Sequence, residues 1–201
     1  MAEGITEVEL KSVVPDLAAA RARCEGAGAR LVFAGRLEDR RYDTRDRQLA
    51  AQDHVLRLRV YRDRDGARGS VDWKGPTRFE DGYKVREELT AGATDADALA
   101  AILERLGFGV SREIEREIAQ YELGGAIVRF EEYPRMDVLV EVEGAPDAIE
   151  RAIAALGLPR HGFTSERLPD FVARFERRTG QRAALCEREL RGEFRYRAAD
   201  A

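Results

Sequence analysis

The amino-acid sequence predicts an α+β fold: a closed eight-stranded antiparallel β-barrel, or tunnel, with helices packed on the outside. Eight segments alternate charged and apolar residues, which is the pattern of a strand with one apolar face. Turn residues separate most neighbouring segments and favour antiparallel pairing. Helical segments with apolar stripes can cover the apolar face. An open sheet with its charges in water is the simpler interpretation of any single strand, but the whole set has too many apolar faces to leave exposed.

The composition indicates a soluble protein with one main domain. The chain has 201 residues, of which 44% are hydrophobic and 36% charged, enough apolar residues for a core. We expect the domain over residues 1–175 and a charged C-terminal tail over residues 176–201, solvated or partly disordered. The net charge of −4 argues against a general nucleic-acid binder.

The sequence also bears on location and cysteine chemistry. No apolar run is as long as a membrane span, and the N-terminus lacks the basic-then-apolar order of a signal peptide. We therefore expect a cytoplasmic protein without a membrane partner. Cys24 and Cys186 have no paired spacing of the kind that zinc sites or disulfide frameworks show, so both are interpreted as free thiols.

The first strand, over residues 4–13, shows the alternation most clearly. One face carries Glu7, Glu9 and Lys11, and the other carries Val8 and Leu10. The strand stops at Pro15, and Asp16 can cap a helix that ends at Gly26 and Gly28.

Further strands are expected over residues 37–44, 54–61, 69–75 and 83–89. A short apolar piece at residues 31–33 precedes them, residues 46–53 form a polar loop, and a longer turn covers residues 76–82. In the second of these strands, Arg57 and Arg59 share the face opposite Leu56, Leu58 and Val60.

The second half of the chain repeats the pattern. Thr94 or Asp95 can cap a helix that stops at Gly107. Strands over residues 113–122 and 126–132 flank a tight hairpin at Gly124-Gly125, and the last strand covers residues 138–143. Helices are expected over Pro146–Leu156 and from Thr164 or Ser165 onward.

If the barrel closes with its apolar side outward, under the helices, the charged faces of the strands line its lumen. Those faces include Glu7, Glu9, Lys11, Arg57, Arg59, Lys74, Lys84, Arg86, Glu88, Arg129, Glu131, Glu141 and Glu143. A lumen with both signs of charge is costly unless something occupies it. A metal-bound polyphosphate satisfies both, because Mg²⁺ or Mn²⁺ bridges carboxylate and phosphate oxygens while guanidinium groups bind the remaining oxygens.

Several short motifs, taken in order, resemble those of the CYTH superfamily, also called triphosphate tunnel metalloenzymes. They are Glu7-Val8-Glu9-Leu10-Lys11, Tyr42-Asp43-Thr44, Leu56-Arg57-Leu58-Arg59, Trp73-Lys74-Gly75-Pro76, Arg86-Glu87-Glu88 and Glu141-Val142-Glu143. The resemblance covers about residues 5–172. The superfamily includes class IV adenylyl cyclases, thiamine triphosphatases and inorganic triphosphatases.

The resemblance implies a set of site residues and a metal cofactor, Mg²⁺ or Mn²⁺. The implied metal ligands are Glu7, Glu9, Glu131, Glu141 and Glu143. The implied catalytic residues, which would hold the triphosphate, are Lys11, Arg57, Arg59, Lys74 and Arg86. We add Lys84, Arg116 and Arg129 to the substrate-binding set. On strand six the family usually has Lys and Arg two residues apart, whereas this chain has Arg116 and Ile118, so one basic contact is missing.

The leading functional hypothesis is metal-dependent hydrolysis of a triphosphate-containing small molecule. The first alternative is a class IV adenylyl cyclase that converts ATP to cyclic AMP and pyrophosphate. The second is a non-catalytic protein that binds polyphosphate or nucleotide. We leave a homodimer open.

Some residues carry a plainer interpretation. His54 and His161 are interpreted as surface or edge residues, and Glu87 and Glu132 as exposed. Asp72 and Lys84 fit the lumen and the solvated mouths about equally well.

Overall fold

The computed structural model describes residues 5–197. Its strands are β1 Ile5–Val13, β2 Arg30–Thr44, β3 Val55–Asp63, β4 Gly66–Lys74, β5 Arg78–Glu80, β6 Tyr83–Ala93, β7 Phe108–Leu123, β8 Ala126–Glu132 and β9 Leu139–Gly144. Its helices are α1 Leu17–Gly26, α2 Gln48–Ala51, α3 Ala96–Arg105, α4 Pro146–Leu156, α5 Leu168–Thr179 and α6 Glu187–Leu190, with a 3-10 turn at Arg160–Gly162.

Eight of the strands form a closed antiparallel ring. The order is β1-β9-β8-β7-β2-β3-β4-β6, and β6 pairs back with β1 to close it. The short β5 pairs with β6. This ring confirms the predicted closed eight-stranded barrel, and its closure leaves no free edge among these strands.

Strand bounds differ from the prediction where backbone geometry departs from simple alternation. The predicted pieces at residues 31–33 and 37–44 form one strand, β2, with a register shift between Leu31 and Phe33. Gly35 lies within it at φ 157°, and a Cβ there would stand 2.2 Å from the carbonyl oxygen of Arg62 on β3. Glycine therefore allows the two strands to approach closely.

Other parts of the chain also depart from the prediction. Strand β7 begins at Phe108, before the predicted residue 113, and β5 occupies part of the predicted turn. Residue 4, the predicted start of the first strand, lies outside the described residues. The predicted polar loop contains the short helix α2, because the Asp43 carboxylate accepts hydrogen bonds from the backbone N–H groups of Leu49 and Ala50 at 2.9 and 3.0 Å.

The helices cover the outer face of the barrel in two places. Helices α1 and α4 pack on the strands β1, β7, β8 and β9, where the buried side chains include Leu10, Val128, Val142, Ile149 and Ile153. Helix α3 covers the other region, where Ala100 and Leu103 pack on Tyr42 and Leu58. Asp95 rather than Thr94 caps α3, accepting from the Ala98 N–H at 2.8 Å.

Helix α5 begins at Leu168, three or four residues after the predicted start at Ser165 or Thr164. Thr164 pairs with Lys11 through two backbone hydrogen bonds, 2.9 and 2.8 Å, so its backbone continues the sheet instead of starting a helix. Helix α5 then runs past residue 175, the proposed end of the domain.

The C-terminal segment is folded against the barrel, so its interpretation as a solvated or partly disordered tail is wrong. Leu185 and Cys186 are fully buried. The carbonyl oxygen of Leu185 accepts the Glu115 N–H at 2.7 Å, and Ala183 and Leu185 pack with Ile114 of β7 and with α5. The arginines at 177, 178, 191, 195 and 197 are exposed as expected, and residues 198–201 lie outside the described part.

Cys24 and Cys186 are free thiols, as predicted. Within residues 5–197, the structure contains no helix that is both long and apolar enough to cross a membrane.

Candidate functional site in the barrel lumen

The side chains of all the predicted site residues point into one cavity of about 250 Å³ inside the barrel. The lining includes Glu7, Glu9, Lys11, Arg57, Arg59, Lys74, Lys84, Arg86, Arg116, Arg129, Glu131, Glu141 and Glu143. They come from β1, β3, β4, β6, β7, β8 and β9, and the alternation of each strand sets their direction. The structure therefore brings the predicted residues together, while their roles in metal and phosphate binding stay predictions.

One wall of the cavity carries glutamates paired with lysines. The Lys11 ammonium lies 2.8 Å from a Glu9 oxygen and 2.5 Å from a Glu141 oxygen. The Lys74 ammonium contacts Glu7 at 2.5 Å, and Lys84 pairs with Glu9. Lys84 therefore belongs to the lumen, which decides between the two interpretations left open for it.

These pairs control the ionisation of the wall. Burial alone would raise the pKa of Glu9, but the ammonium groups of Lys11 and Lys84 hold it well below its usual range. Burial and then the charge of Glu141 raise the pKa of Glu143 to about 7. Like-charged carboxylates are thus close enough to repel one another.

The carboxylate wall fits a hard divalent cation by the chemistry of its donors, since Mg²⁺ and Mn²⁺ prefer oxygen ligands. Glu7 and Glu9 lie on β1, and Glu141 and Glu143 on the neighbouring β9. Glu7, Glu9 and Glu141 are paired with lysines. No group of three or more His, Cys, Asp or Glu side chains within residues 5–197 is placed to hold a metal ion.

The opposite wall is organised by Asp39, a residue that is absent from the predicted set. Its carboxylate accepts from Arg59 Nε at 2.9 Å and from Arg116 Nη1 at 3.0 Å, and Arg57 Nη1 lies at 3.6 Å. Asp39 is only 2% exposed. Burial alone would raise the pKa of Asp39, but Arg59, Arg116 and Arg57 hold it well below its usual range. The alternation of Asp39, Arg41 and Asp43 along β2 is the sequence signal that could have identified it.

Further carboxylates hold the other lumen arginines. Asp72 accepts from Arg57 at 2.8 Å and is buried, so it lies inside the barrel. Glu141 accepts from Arg129 Nη1 at 2.7 Å.

Glu131 is fixed by a different pair of donors. It accepts from Arg116 Nε at 3.0 Å and from the Tyr133 hydroxyl at 2.6 Å. Burial and the Glu131 charge together raise the pKa of Tyr133 well above its usual range, so the hydroxyl keeps its proton. This predicted metal ligand is therefore bonded to an arginine and a tyrosine.

Arg86 lines the cavity but directs two hydrogen bonds to backbone groups. Its Nε donates to the Gly75 carbonyl at 2.7 Å, and its Nη2 donates to the Asp53 carbonyl at 2.6 Å. The Asp53 carboxylate accepts from Arg167 at 3.0 Å. Arg86 thus links the backbone after β4, at Gly75, to the backbone after α2, at Asp53, at the rim of the cavity. Its sequence motif does not indicate this structural role.

Apolar side chains replace charge toward the Arg30 end of β2. Leu37 shares the lumen face of β2 with Asp39, and Ile118 shares that of β7 with Arg116. Both are buried with Phe33, and Tyr61 packs against them. Ile118 stands in this cluster because its neighbours are apolar, which accounts for the missing basic residue on β7.

Other residues are placed as follows. His54 is half-buried at the cavity rim, with its ring 5.2 Å from that of Trp73, rather than on the open surface. His161, Glu87 and Glu132 are exposed, as expected.

The fold resembles several solved structures. A candidate adenylate cyclase of Vibrio parahaemolyticus superposes with a TM-score of 0.72 at 20% identity, over 85% of this chain and 99% of that one. A Pyrococcus horikoshii protein gives a TM-score of 0.68 at 22% identity, over 80% and 94% of the two chains. A Hippeastrum protein described as a candidate adenylyl cyclase with a dominant triphosphatase activity gives a TM-score of 0.61 at 19% identity, over 89% and 98%.

Sequence comparison adds the family. A search among curated protein sequences returns no match. The model of the CYTH domain matches residues 6–151, which is most of the chain and contains all the lumen motifs described above. The chain belongs to the CYTH domain family.

Proposed function

We propose that this protein is a metal-dependent triphosphatase that hydrolyses the terminal phosphoryl group of a triphosphate held in the lumen. The observation that carries the proposal is the gathering of a glutamate wall and an arginine wall in one buried cavity. A triphosphate with a divalent cation carries both kinds of partner that these walls require. Inorganic triphosphate, thiamine triphosphate and nucleoside triphosphates are all within this class.

The chain's own cations would bind and neutralise the phosphates. Arg57, Arg59, Arg116 and Arg129 can each present two N–H groups to phosphate oxygens, and Lys11 and Lys74 act as point charges beside the glutamates. In the structure these cations are bonded to carboxylates. Phosphate oxygens would replace those carboxylates as partners, and the glutamates freed in this way could hold the cation.

Glu7, Glu9, Glu141 and Glu143 would hold Mg²⁺ or Mn²⁺, with Glu131 as a further ligand. When bound, the cation would polarise phosphoryl oxygens and lower the pKa of a bound water. The buried arginines would stabilise charge on the phosphoryl group in the transition state, because their charge acts in a site largely screened from bulk water.

The second candidate function is an adenylyl cyclase. A structure with a similar fold, from Vibrio parahaemolyticus, is named as a candidate adenylate cyclase. The Hippeastrum structure favours the hydrolase, since its description reports a dominant triphosphatase activity. A non-catalytic binding protein is less favoured, because a site that only binds phosphates does not need carboxylates on two adjacent strands.

Product identification tests the proposal. The protein is incubated with tripolyphosphate, thiamine triphosphate or ATP and with Mg²⁺ or Mn²⁺, and the products are separated. We expect orthophosphate from at least one substrate, no product in excess chelator, and recovery when the metal is restored. Pyrophosphate with cyclic AMP from ATP would establish the cyclase instead, and no product from any substrate would favour the binding protein.

A matched pair of variants links the activity to the lumen. Glu9→Gln removes a charge inside the barrel, and Glu87→Gln removes one from the exposed outer face of β6. Glu9→Gln should lose activity while it stays folded, and Glu87→Gln should keep it. Full activity of folded Glu9→Gln would contradict the metal-ligand assignment.

A further inference from the structure

Tyr133 is a lumen side chain outside the predicted set of site residues. It directly follows β8, continues the face that carries Arg129 and Glu131, and lines the cavity. Its hydroxyl donates to Glu131 Oε2 at 2.6 Å, which is the short distance typical of a hydroxyl bonded to a carboxylate. Arg116 Nε donates to the other oxygen, Glu131 Oε1, at 3.0 Å. Tyr133 and Arg116 therefore hold one oxygen of Glu131 each.

The ring of Tyr133 is held by residues that do not belong to the charged walls. It packs against a buried apolar cluster from β7, α5 and the C-terminal segment, which consists of Ile114, Val172, Phe175, Ala183 and Leu185. A tyrosine side chain has only two rotatable torsions, so packing of the ring also sets the direction of the hydroxyl. The hydroxyl that meets Glu131 is thus placed by the fold on the far side of Tyr133.

The two hydrogen bonds of Glu131 should respond differently when substrate binds. Arg116 is shared between Glu131 and Asp39, and it is one of the arginines that phosphate oxygens would engage. Once Arg116 turns to a phosphate, Glu131 retains its bond to Tyr133. The hydroxyl is a neutral donor, so it fixes the direction of the carboxylate without cancelling its charge. Carboxylates that bind metals are commonly oriented by a hydrogen bond of this kind.

We propose that Tyr133 is a positioning residue, which orients the Glu131 carboxylate toward the divalent cation that the lumen binds together with a triphosphate. This inference deepens the proposed function and rests on it. Tyr133 would keep Glu131 Oε2, and release of Arg116 would leave Oε1 available to the cation.

Mn²⁺ is the probe, and electron paramagnetic resonance measures how much of it the full chain binds. The protein is first saturated with bis-methylene triphosphate, an analogue whose P–C–P bridges resist hydrolysis, so that binding is measured without turnover. The variant is Tyr133→Phe, which keeps the ring and removes the hydroxyl. The matched control is Tyr83→Phe, because the Tyr83 hydroxyl also donates to a glutamate at 2.6 Å, Glu150 of α4, on the outside of the barrel.

Tyr133→Phe should weaken Mn²⁺ binding about tenfold or more, which is the usual effect of removing a partner of a metal ligand. Tyr83→Phe should bind Mn²⁺ within about twofold of the wild type. Glu131→Gln removes the carboxylate through which Tyr133 acts, so adding Tyr133→Phe to Glu131→Gln should weaken Mn²⁺ binding by less than about twofold.

Melting temperatures and analogue affinities show whether Tyr133 has another role. A merely structural tyrosine would lower the melting temperature of Tyr133→Phe and leave the Mn²⁺ affinity of the folded protein at the wild-type value, which would overturn the inference. Equal weakening by Tyr133→Phe in the wild-type and Glu131→Gln backgrounds would overturn it too. So would an equal loss of analogue affinity without metal, measured by titration calorimetry, because Tyr133 would then act on the phosphates.

The wild type separates this inference from the proposed function. If the wild type binds no Mn²⁺ in the presence of the analogue, the proposed function fails and the inference fails with it. If the wild type binds Mn²⁺ and Tyr133→Phe binds it equally well, the inference alone is wrong.

Discussion

At the scale of single residues, the buried carboxylate of Asp39 holds several arginines in place, although its single negative charge cannot neutralise all of them. It contacts arginines from two neighbouring strands, β3 and β7, and is almost fully buried. Removing one partner of a buried ionic network leaves the other charges without compensation. In the unliganded barrel Arg59 and Arg116 therefore depend on Asp39 for part of their charge compensation, which Asp72 and Glu131 supplement.

We expect Asp39→Asn to lower the free energy of unfolding by about 3–5 kcal/mol without ligand. Tripolyphosphate should then raise the melting temperature of Asp39→Asn by more than it raises that of the wild type, because the anion replaces the lost charge. Thermal unfolding with and without tripolyphosphate measures both effects. Asp65→Asn, at the exposed β3–β4 turn, is the control, and equal stability of Asp39→Asn and this control would contradict the role of Asp39.

Glu143 predicts a pH dependence of stability. Its pKa is raised from the ordinary 4.5 to about 7 in the folded protein, so the folded state binds the proton more tightly than the unfolded state. This contribution to stability is complete below the ordinary pKa and is lost as the pH rises through the folded value. Glu143→Gln, which cannot ionise, should therefore become increasingly more stable than the wild type between about pH 5 and 8.

The measurement is the melting temperature of both proteins across this pH range in the presence of chelator. Glu132→Gln, exposed on the outer face of β8, serves as the control, and its difference from the wild type should stay nearly constant. A constant difference for Glu143→Gln as well would contradict the raised pKa.

At the scale of elements, β3 separates stability from binding by the alternation of its side chains. Leu58 is 1% exposed and packs under α3, whereas the next residue, Arg59, faces the lumen. Leu58→Ala should cost about 2–5 kcal/mol of stability and leave the affinity of the folded fraction for tripolyphosphate unchanged.

Arg59→Gln should instead weaken tripolyphosphate binding strongly. Repulsion among lumen cations alone would make this change neutral or stabilising, but the ion pair with Asp39 leads us to expect some loss of stability too. Unfolding midpoints and affinities of the two variants check the separation. Normal binding by Arg59→Gln would mean that this face of β3 does not hold the substrate.

The C-terminal segment yields another prediction for an element. Leu185 is fully buried against β7 and α5, and Leu190, five residues later, is 36% exposed. Leu185→Ala should cost about 2–5 kcal/mol, and Leu190→Ala much less. Denaturant unfolding of both variants measures the difference, and equal small effects would show that this segment adds little to the fold.

At the scale of the whole molecule, the unliganded barrel encloses many charges that a ligand can compensate. A triphosphate that binds the folded state only must stabilise it by mass action, by about 2.7 kcal/mol at a ligand concentration of 100 times Kd. We expect tripolyphosphate with Mg²⁺ to raise the melting temperature clearly. Orthophosphate at equal ionic strength is the control, and an equal rise with this control would point to a salt effect.

The sequence by itself determined the direction of the lumen side chains. Alternation has a period of two and is a local property, so Glu7, Glu9, Arg57 and Arg59 could be assigned to one face without knowing which strands pair. The glycine hairpin and the helix caps are local as well. For this reason the barrel and all the predicted lumen residues agree with the structure.

The tertiary structure decided what depends on distant partners. Asp39 gains its importance from Arg59 and Arg116, which follow it by 20 and 77 residues. Arg86 bonds to backbone carbonyls of other segments, and Leu185 is buried by a strand some 70 residues earlier in the chain. Burial and ion pairing depend on which elements meet in space. The alternation within one strand does not reveal which distant side chains will pack against it.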